Sequence, residues 1–121
     1  MKVIQAESAG FCFGVDRAVR LAEELAASAR RPRMLGRVIH NDHVMARLRE
    51  QGMRLIDDPA QAEAGDSVLL RAHGVGRAVY ETLEARGAAV ADATCPKVAR
   101  VHAIVARADE EGRQCVMIGD P

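Results

Sequence analysis

The order of apolar and amphipathic segments constrains the fold of this chain more than any other feature. Apolar runs of strand length alternate with segments in which apolar residues recur every three or four positions, the spacing of one helix face. The clearest such face comprises Val15, Ala18, Val19, Ala22, Leu25 and Ala29, before Pro32. This alternation predicts an α/β domain with a mostly parallel sheet flanked by helices.

The boundaries of the other elements follow from the same pattern. Strands are predicted at residues 3–4, 34–39, 53–56, 67–70, 89–91 and 116–118. One helix is predicted after Asn41, a favourable N-cap, and ends near Gly52. Another covers residues 77–86, and the last begins at Pro96 and ends at Gly112.

Four residues with reactive or metal-binding side chains fall at junctions between predicted strands and helices. They are Cys12, His40, His73 and Cys95. In open α/β sheets, ligands bind at the edge where strands end and helices begin. We therefore expect these four residues to mark the functional edge of the sheet.

Composition narrows the class of protein. The 121 residues suit one compact domain, and 17 basic residues balance 17 acidic ones, so attraction to nucleic acid is not expected. No apolar run could cross a bilayer or form a signal-peptide core, which predicts a cytoplasmic protein without a membrane partner. Three cysteines without a secretory signal favour thiolate or metal chemistry over disulfides.

Both junction cysteines have surroundings suited to a thiolate. Cys12 lies between Gly10 and Gly14 near the start of a helix, whose dipole favours a negative charge, and Cys95 precedes Pro96 in the same setting. Thiolates bind soft metals and iron–sulfur clusters. From position alone, two small buried apolar residues are an equally good interpretation.

Five short motifs together resemble one family. Residues 10–18, GFCFGVDRA, resemble the N-terminal motif of the 4-hydroxy-3-methylbut-2-enyl diphosphate reductases. Residues 38–41 and 71–75 resemble the family's first and second histidine motifs, residues 92–96 its second cysteine motif, and residues 98–102 the helix that follows. The motifs occur in the family's order, and the resemblance covers the whole chain.

The resemblance implies a reductive dehydroxylation that yields isopentenyl and dimethylallyl diphosphate in the non-mevalonate pathway of isoprenoid biosynthesis. It implies a 4Fe-4S cluster held by three cysteines, two of which match Cys12 and Cys95. His40 and His73 match residues that bind the substrate diphosphate, and Asn41 belongs to the first of these motifs. A low-potential electron donor such as ferredoxin or flavodoxin is also implied.

The resemblance further implies three similar domains. Residues 1–96 match the first, and residues 97–121 match the helix and strand that open the second. The family's third cluster cysteine and the residues that deliver protons match nothing up to Pro121, so no general acid is identified. We expect the isolated chain to have little or no activity.

Other interpretations of single residues are structural. Cys115 is expected to be buried beside the predicted strand at residues 116–118, while His43 and His102 are expected to have surface or packing roles. The loop at residues 74–76 lacks the fingerprint of a nucleotide-binding turn.

Two alternatives concern the site as a whole. A zinc site built from the two junction cysteines and two junction histidines has suitable ligands, but the spacings match no common structural motif. The second functional hypothesis is a noncatalytic α/β module that binds phosphate or metal without turnover.

Overall fold

A four-stranded parallel sheet forms the centre of the fold. The structure is a computed structural model, and it describes residues 1–119. The strands are β1 (Pro32–Leu35), β2 (Arg54–Ile56), β3 (Ser67–Leu70) and β4 (Ala89–Asp92), in the spatial order β2-β1-β3-β4. The helices are α1 (Phe13–Ser28), α2 (Asp42–Glu50), α3 (Arg77–Ala85) and α4 (Pro96–Glu110), and a 3-10 helix occupies Pro59–Gln61.

Helices cover both faces of the sheet. In the central strand β3, Val68, Leu69 and Leu70 are all buried, which requires apolar contacts on both faces. Leu69 packs in a cluster with the apolar residues of α1 and α2, whereas Val68 and Leu70 pack in a second cluster that includes Leu83 of α3. The predicted α/β class with a parallel sheet flanked by helices is confirmed.

The first long apolar run is only partly a strand. The prediction of a strand at residues 34–39 is wrong at both ends, because β1 begins at Pro32 and ends at Leu35. Gly36 turns the chain with a φ of +69°, and its amide donates a hydrogen bond to the Ile56 carbonyl at 2.8 Å. Val38 and Ile39 are nevertheless buried, as a loop packed on the core.

The predicted strands at residues 3–4 and 116–118 are also wrong. Val3, Ile4, Val116 and Met117 are exposed, and Ile118 retains 94% of its accessible surface. Within residues 1–119 no strand pairs with either segment, so neither can form a ladder of backbone hydrogen bonds.

The division into residues 1–96 and 97–121 stays a prediction. The second part contains the predicted helix, α4, whose only buried residue is Ala108. Residues 120 and 121 lie outside the described part of the chain. No helix within residues 1–119 is long and apolar enough to span a membrane.

A buried carboxylate, Asp66, forms an ion-pair network at the amino-terminal ends of the two central strands, β1 and β3. Its side chain is fully buried just before β3. Oδ2 accepts hydrogen bonds from the Glu63 amide at 2.9 Å and from Arg33 Nε at 3.2 Å. Arg31 Nε lies 2.9 Å from Oδ1 and completes an ion-pair network. This network secures the chain where β1 and β3 begin.

Candidate functional site

The two junction cysteines occupy equivalent places at the starts of two helices. Cys12 is the N-cap of α1 and Cys95 is the N-cap of α4, and neither side chain caps its own helix. A Cβ atom added to Gly14 would lie 2.6 Å from the Cys95 sulfur. The Cys95 sulfur therefore rests against the first turn of α1, two residues from Cys12.

Exposure separates the two interpretations of these cysteines. Cys12 is exposed and Cys95 is half-buried, and no disulfide joins them. Cys12 is thus not the small buried apolar residue of the alternative interpretation. The predicted burial of Cys115 is also wrong: this residue is exposed, because the segment that follows it pairs with no strand in residues 1–119.

The two junction histidines lie together. The ring centroids of His40 and His73 are 6.2 Å apart. Both rings line a cavity of about 290 Å³ with mostly apolar walls. The other lining residues are Phe11, Val15, Val38, Ile39, Asn41 and Ala72. Since Phe11 is the neighbour of Cys12, this cavity borders the loop that carries the first cysteine.

Local capping explains the position of His40. The Asn41 side chain accepts a hydrogen bond from the Val44 amide at 3.2 Å, so Asn41 caps α2 as predicted. The cap places His40 immediately before the helix, on the loop that follows β1. His43, by contrast, is exposed on α2 and does not line this cavity.

The His73 loop is joined directly to the Cys95 loop. The Cys95 amide donates a hydrogen bond to the Ala72 carbonyl at 2.9 Å. Gly74 has a φ of +75°, and a Cβ added there would lie 2.7 Å from His102 and 3.2 Å from Thr94. A side chain would therefore be both strained and obstructed at residue 74. His102 itself is exposed on α4, with its ring beside Gly74.

The Asp92 carboxylate organises the turn that leads to Cys95. Oδ1 accepts hydrogen bonds from the Thr94 amide, at 2.8 Å, and from the Thr94 hydroxyl, while Oδ2 accepts one from the Tyr80 hydroxyl at 2.8 Å. Loss of hydration would by itself raise the pKa of Asp92. The hydrogen bonds from Thr94 and Tyr80, with the charge of Arg17, outweigh it and lower this pKa below its ordinary value.

This balance predicts an acid-sensitive turn. A carboxylate whose pKa is lowered by folding stabilises the fold above its unfolded pKa, about 4, and the contribution is lost as the pH falls through the folded pKa. We expect Asp92→Asn to be less stable than the wild type at pH 7, with the difference shrinking below about pH 4. Urea unfolding of both proteins between about pH 3 and pH 7 measures this difference in stability. Asp57→Asn, at an exposed turn, is the control for the loss of a surface carboxylate and should keep close to the wild-type stability at pH 7.

Sequence reasoning identified the junction residues but assigned no role to Arg17 or Asp92. Arg17 donates hydrogen bonds to the backbone carbonyls of Thr94, at 3.2 Å, and Asp92, at 3.4 Å. Both residues belong to the motifs that carry the family resemblance. Their positions in those motifs were the only feature of the sequence that could have indicated a role for them.

Comparison with known proteins identifies the family. The LytB protein family matches residues 3–121. The chain belongs to the LytB family. A relative named 4-hydroxy-3-methylbut-2-enyl diphosphate reductase, from Oleidesulfovibrio alaskensis, is 41% identical over 121 residues, covering 99% of this chain and 43% of the relative. The enzyme of the same name from Bordetella pertussis is 44% identical over 119 residues, covering 98% of this chain and 37% of the relative.

Solved structures of the LytB family share this fold. A structure of (E)-4-hydroxy-3-methyl-but-2-enyl diphosphate reductase, the terminal enzyme of the non-mevalonate pathway, has a TM-score of 0.82 and 40% identity, and the match covers 98% of this chain and 42% of the other. The Plasmodium falciparum reductase has a TM-score of 0.81 and 31% identity, with 87% and 33% covered. The chain spans about two fifths of the length of these relatives.

Neither a zinc site nor a complete cluster site is present among the described residues. Among residues 1–119 no three or more histidine, cysteine or acidic side chains are grouped so that they could hold a metal ion. The described part of this LytB chain brings together two cysteine loops and a histidine pair along one edge of the sheet.

Proposed function

We propose that this chain supplies the cluster-binding and diphosphate-binding part of a 4-hydroxy-3-methylbut-2-enyl diphosphate reductase. The observation that carries the proposal is the contact of the Cys95 sulfur with Gly14, two residues from Cys12, on the edge that also holds the histidine pair. The names of relatives that match almost the whole chain support the same activity.

The cysteine surroundings fit an iron–sulfur cluster. Both thiols are at least partly accessible, neither is used to cap a helix, and each begins a helix whose first amide groups favour negative charge. Cys12 and Cys95 would hold iron, and the family resemblance implies a 4Fe-4S cluster with one further cysteine. Such a cluster supplies Lewis-acid iron and electrons.

The histidine cavity fits the diphosphate group. The imidazoles of His40 and His73 can donate hydrogen bonds to phosphate oxygens, more strongly when protonated. Phe11, Val38 and Ile39 form apolar walls beside these rings, while both histidines are exposed and within reach of an anion from solvent. Bound there, the substrate's diphosphate would be anchored beside Cys12, with electrons coming from a ferredoxin or flavodoxin.

Anaerobic reconstitution with iron and sulfide tests the cluster assignment. We expect the wild type and Cys115→Ser to gain the absorption and paramagnetic-resonance signals of a cluster, and Cys12→Ser and Cys95→Ser to lose them. With a low-potential donor, turnover by the isolated chain should be slight, because two thiolates give a cluster fewer anchors than the family uses. A colourless protein that binds only diphosphate would instead indicate the noncatalytic module.

The histidine assignment predicts weaker anion binding by two variants. Replacing His40 or His73 with alanine should raise the dissociation constant for inorganic diphosphate about tenfold or more, since a hydrogen bond to a charged group contributes about 1.5–3 kcal/mol. Titration calorimetry of the chain measures this constant. His43→Ala is the control outside the cavity, and an equal loss in that variant would contradict the assignment.

A further inference from the structure

One arginine connects the two helix starts that carry the cysteines. Arg17 lies in α1, one turn beyond Cys12, and its Nη1 and Nη2 atoms donate to the carbonyls of Thr94 and Asp92, beside Cys95. We propose that Arg17 is a positioning residue that sets the spacing between the thiols of Cys12 and Cys95. The inference deepens the proposed function and rests on it.

The chemistry of arginine suits this task. Its planar guanidinium presents several N–H groups in a fixed arrangement and can bind two acceptors at once, whereas a lysine ammonium acts as a flexible point charge. Thr94 and Asp92 offer two carbonyls two residues apart in the chain, and one guanidinium reaches both. Arg17 is also half-buried, and its hydrogen bond to Thr94 is partly shielded from competing water, whereas the bond to Asp92 is exposed.

The other hydrogen bonds that join the Cys95 loop to the rest of the chain lead to β3, to the segment after it and to α3. The Cys95 amide is bound to Ala72 after β3, and the Asp92 carboxylate is bound to Tyr80 of α3. Among the hydrogen bonds in residues 1–119, those of Arg17 alone join α1 to this loop.

The remaining contacts between α1 and the loop are packing contacts, which are weakly directional. Ala93 is buried in the same apolar cluster as Ala18 and Val19 of α1. The sulfur of Cys95 touches Gly14, a packing contact that does not fix a direction as a hydrogen bond does. Without Arg17, each cysteine loop keeps its own internal bonds while the distance between the loops becomes less restricted. Loss of Arg17 should therefore affect a ligand that needs both thiolates more than it affects folding.

A neighbouring arginine provides a matched control. Arg20 lies one turn further along α1, is exposed, and forms an ion pair with Asp16 at 2.9 Å. It has the same charge as Arg17 and lies in the same helix, but it makes no hydrogen bond to the Cys95 loop. Comparison of the two sites separates bonding to the loop from a general effect of removing positive charge.

Cadmium binding tests the proposal without a cluster or turnover. The 121-residue chain with Cys115→Ser is titrated with Cd²⁺, and thiolate-to-cadmium absorption reports the two remaining thiols. We expect Arg17→Met to raise the Cd²⁺ dissociation constant about tenfold or more, Arg17→Lys to recover part of the loss, and Arg20→Met to match the parent. Binding by Arg17→Met as tight as the parent would overturn the proposal.

Further variants distinguish a failure of the positioning role from general destabilisation and from a failure of the proposed cysteine pair. Val19→Ala removes buried apolar contacts of α1 but no hydrogen bond to the Cys95 loop, and urea unfolding ranks its stability against that of Arg17→Met. An equal loss of Cd²⁺ affinity in both variants would show that destabilisation is the cause, and the positioning role would be wrong. If Cys12→Ser and Cys95→Ser bind Cd²⁺ as the parent does, the cysteine pair of the proposed function is wrong as well. Tight binding that needs both thiols but not Arg17 would overturn the positioning role alone.

Discussion

Replacing Gly14 with alanine is expected to abolish cluster assembly while leaving the fold in place. The added Cβ would lie 2.6 Å from the sulfur and 3.0 Å from the Cβ of Cys95, so the Cys95 side chain must move away from α1. Alanine favours a helix over glycine by about 1 kcal/mol, which offsets part of the overpacking cost of about 1–3 kcal/mol. The iron retained after anaerobic reconstitution should fall to background, while the free energy of unfolding falls by no more than about 2 kcal/mol.

Gly76 is the matched control for this substitution. It also lies at the start of a helix, as the N-cap of α3, and a Cβ added there would meet no atom within 4 Å. Gly76→Ala should therefore retain the iron that Gly14→Ala loses. Equal iron retention in the two variants would contradict the close contact between Cys95 and α1.

Replacing Asp66 with alanine is expected to destabilise the fold by about 3–5 kcal/mol, the usual cost of breaking a buried ion pair. The substitution removes the acceptor for the Glu63 amide and leaves Arg33, itself mostly buried, without its partner. A domain of this kind has a free energy of unfolding of about 5–15 kcal/mol, so the substitution should remove a large part of it. Urea unfolding at pH 7 measures the loss.

The pH dependence of Asp66 gives a second signature. Burial would raise the pKa of this carboxyl, but the Glu63 amide and the guanidinium groups of Arg33 and Arg31 together hold it below the ordinary value. Its charge-dependent contribution is therefore present above about pH 4 and lost in stronger acid, where the difference in stability between wild type and Asp66→Ala should shrink. Glu63→Gln, which removes an exposed partner of Arg31, should cost less than about 1 kcal/mol. A similarly small loss in Asp66→Ala would contradict the role of the network.

The elements that the sequence predicts correctly are those in which the pattern of apolar residues matches the pattern of buried residues. The central strand Ser67–Leu70 has the predicted bounds, and the four helices lie where apolar periodicity places them. The run at residues 34–39 could not be divided in advance, because a buried loop and a buried strand are equally apolar. Residues 116–118 are apolar enough for a strand, but a strand also needs a neighbour, which local sequence does not reveal.

The site could be predicted only in part for a similar reason. The positions of Cys12, His40, His73 and Cys95 at strand–helix junctions follow from the chain pattern, and the family resemblance proposes their roles. The hydrogen bonds of Arg17 join residues 75 and 77 positions apart in the chain. Such contacts depend on how the helices pack against the sheet, so no local pattern could disclose them.

Turnover by a chimera is the most direct test of whether this chain supplies the cluster-binding and diphosphate-binding part of the reductase. Residues 1–121 would replace the matching 43% of the Oleidesulfovibrio alaskensis reductase, and the reconstituted protein would be assayed anaerobically with a low-potential donor. We expect reduction of 4-hydroxy-3-methylbut-2-enyl diphosphate, abolished by Cys12→Ser or Cys95→Ser and retained in Cys115→Ser. A folded chimera that takes up the parent's complement of iron yet shows no turnover, or one that is active without Cys12 or Cys95, would contradict it.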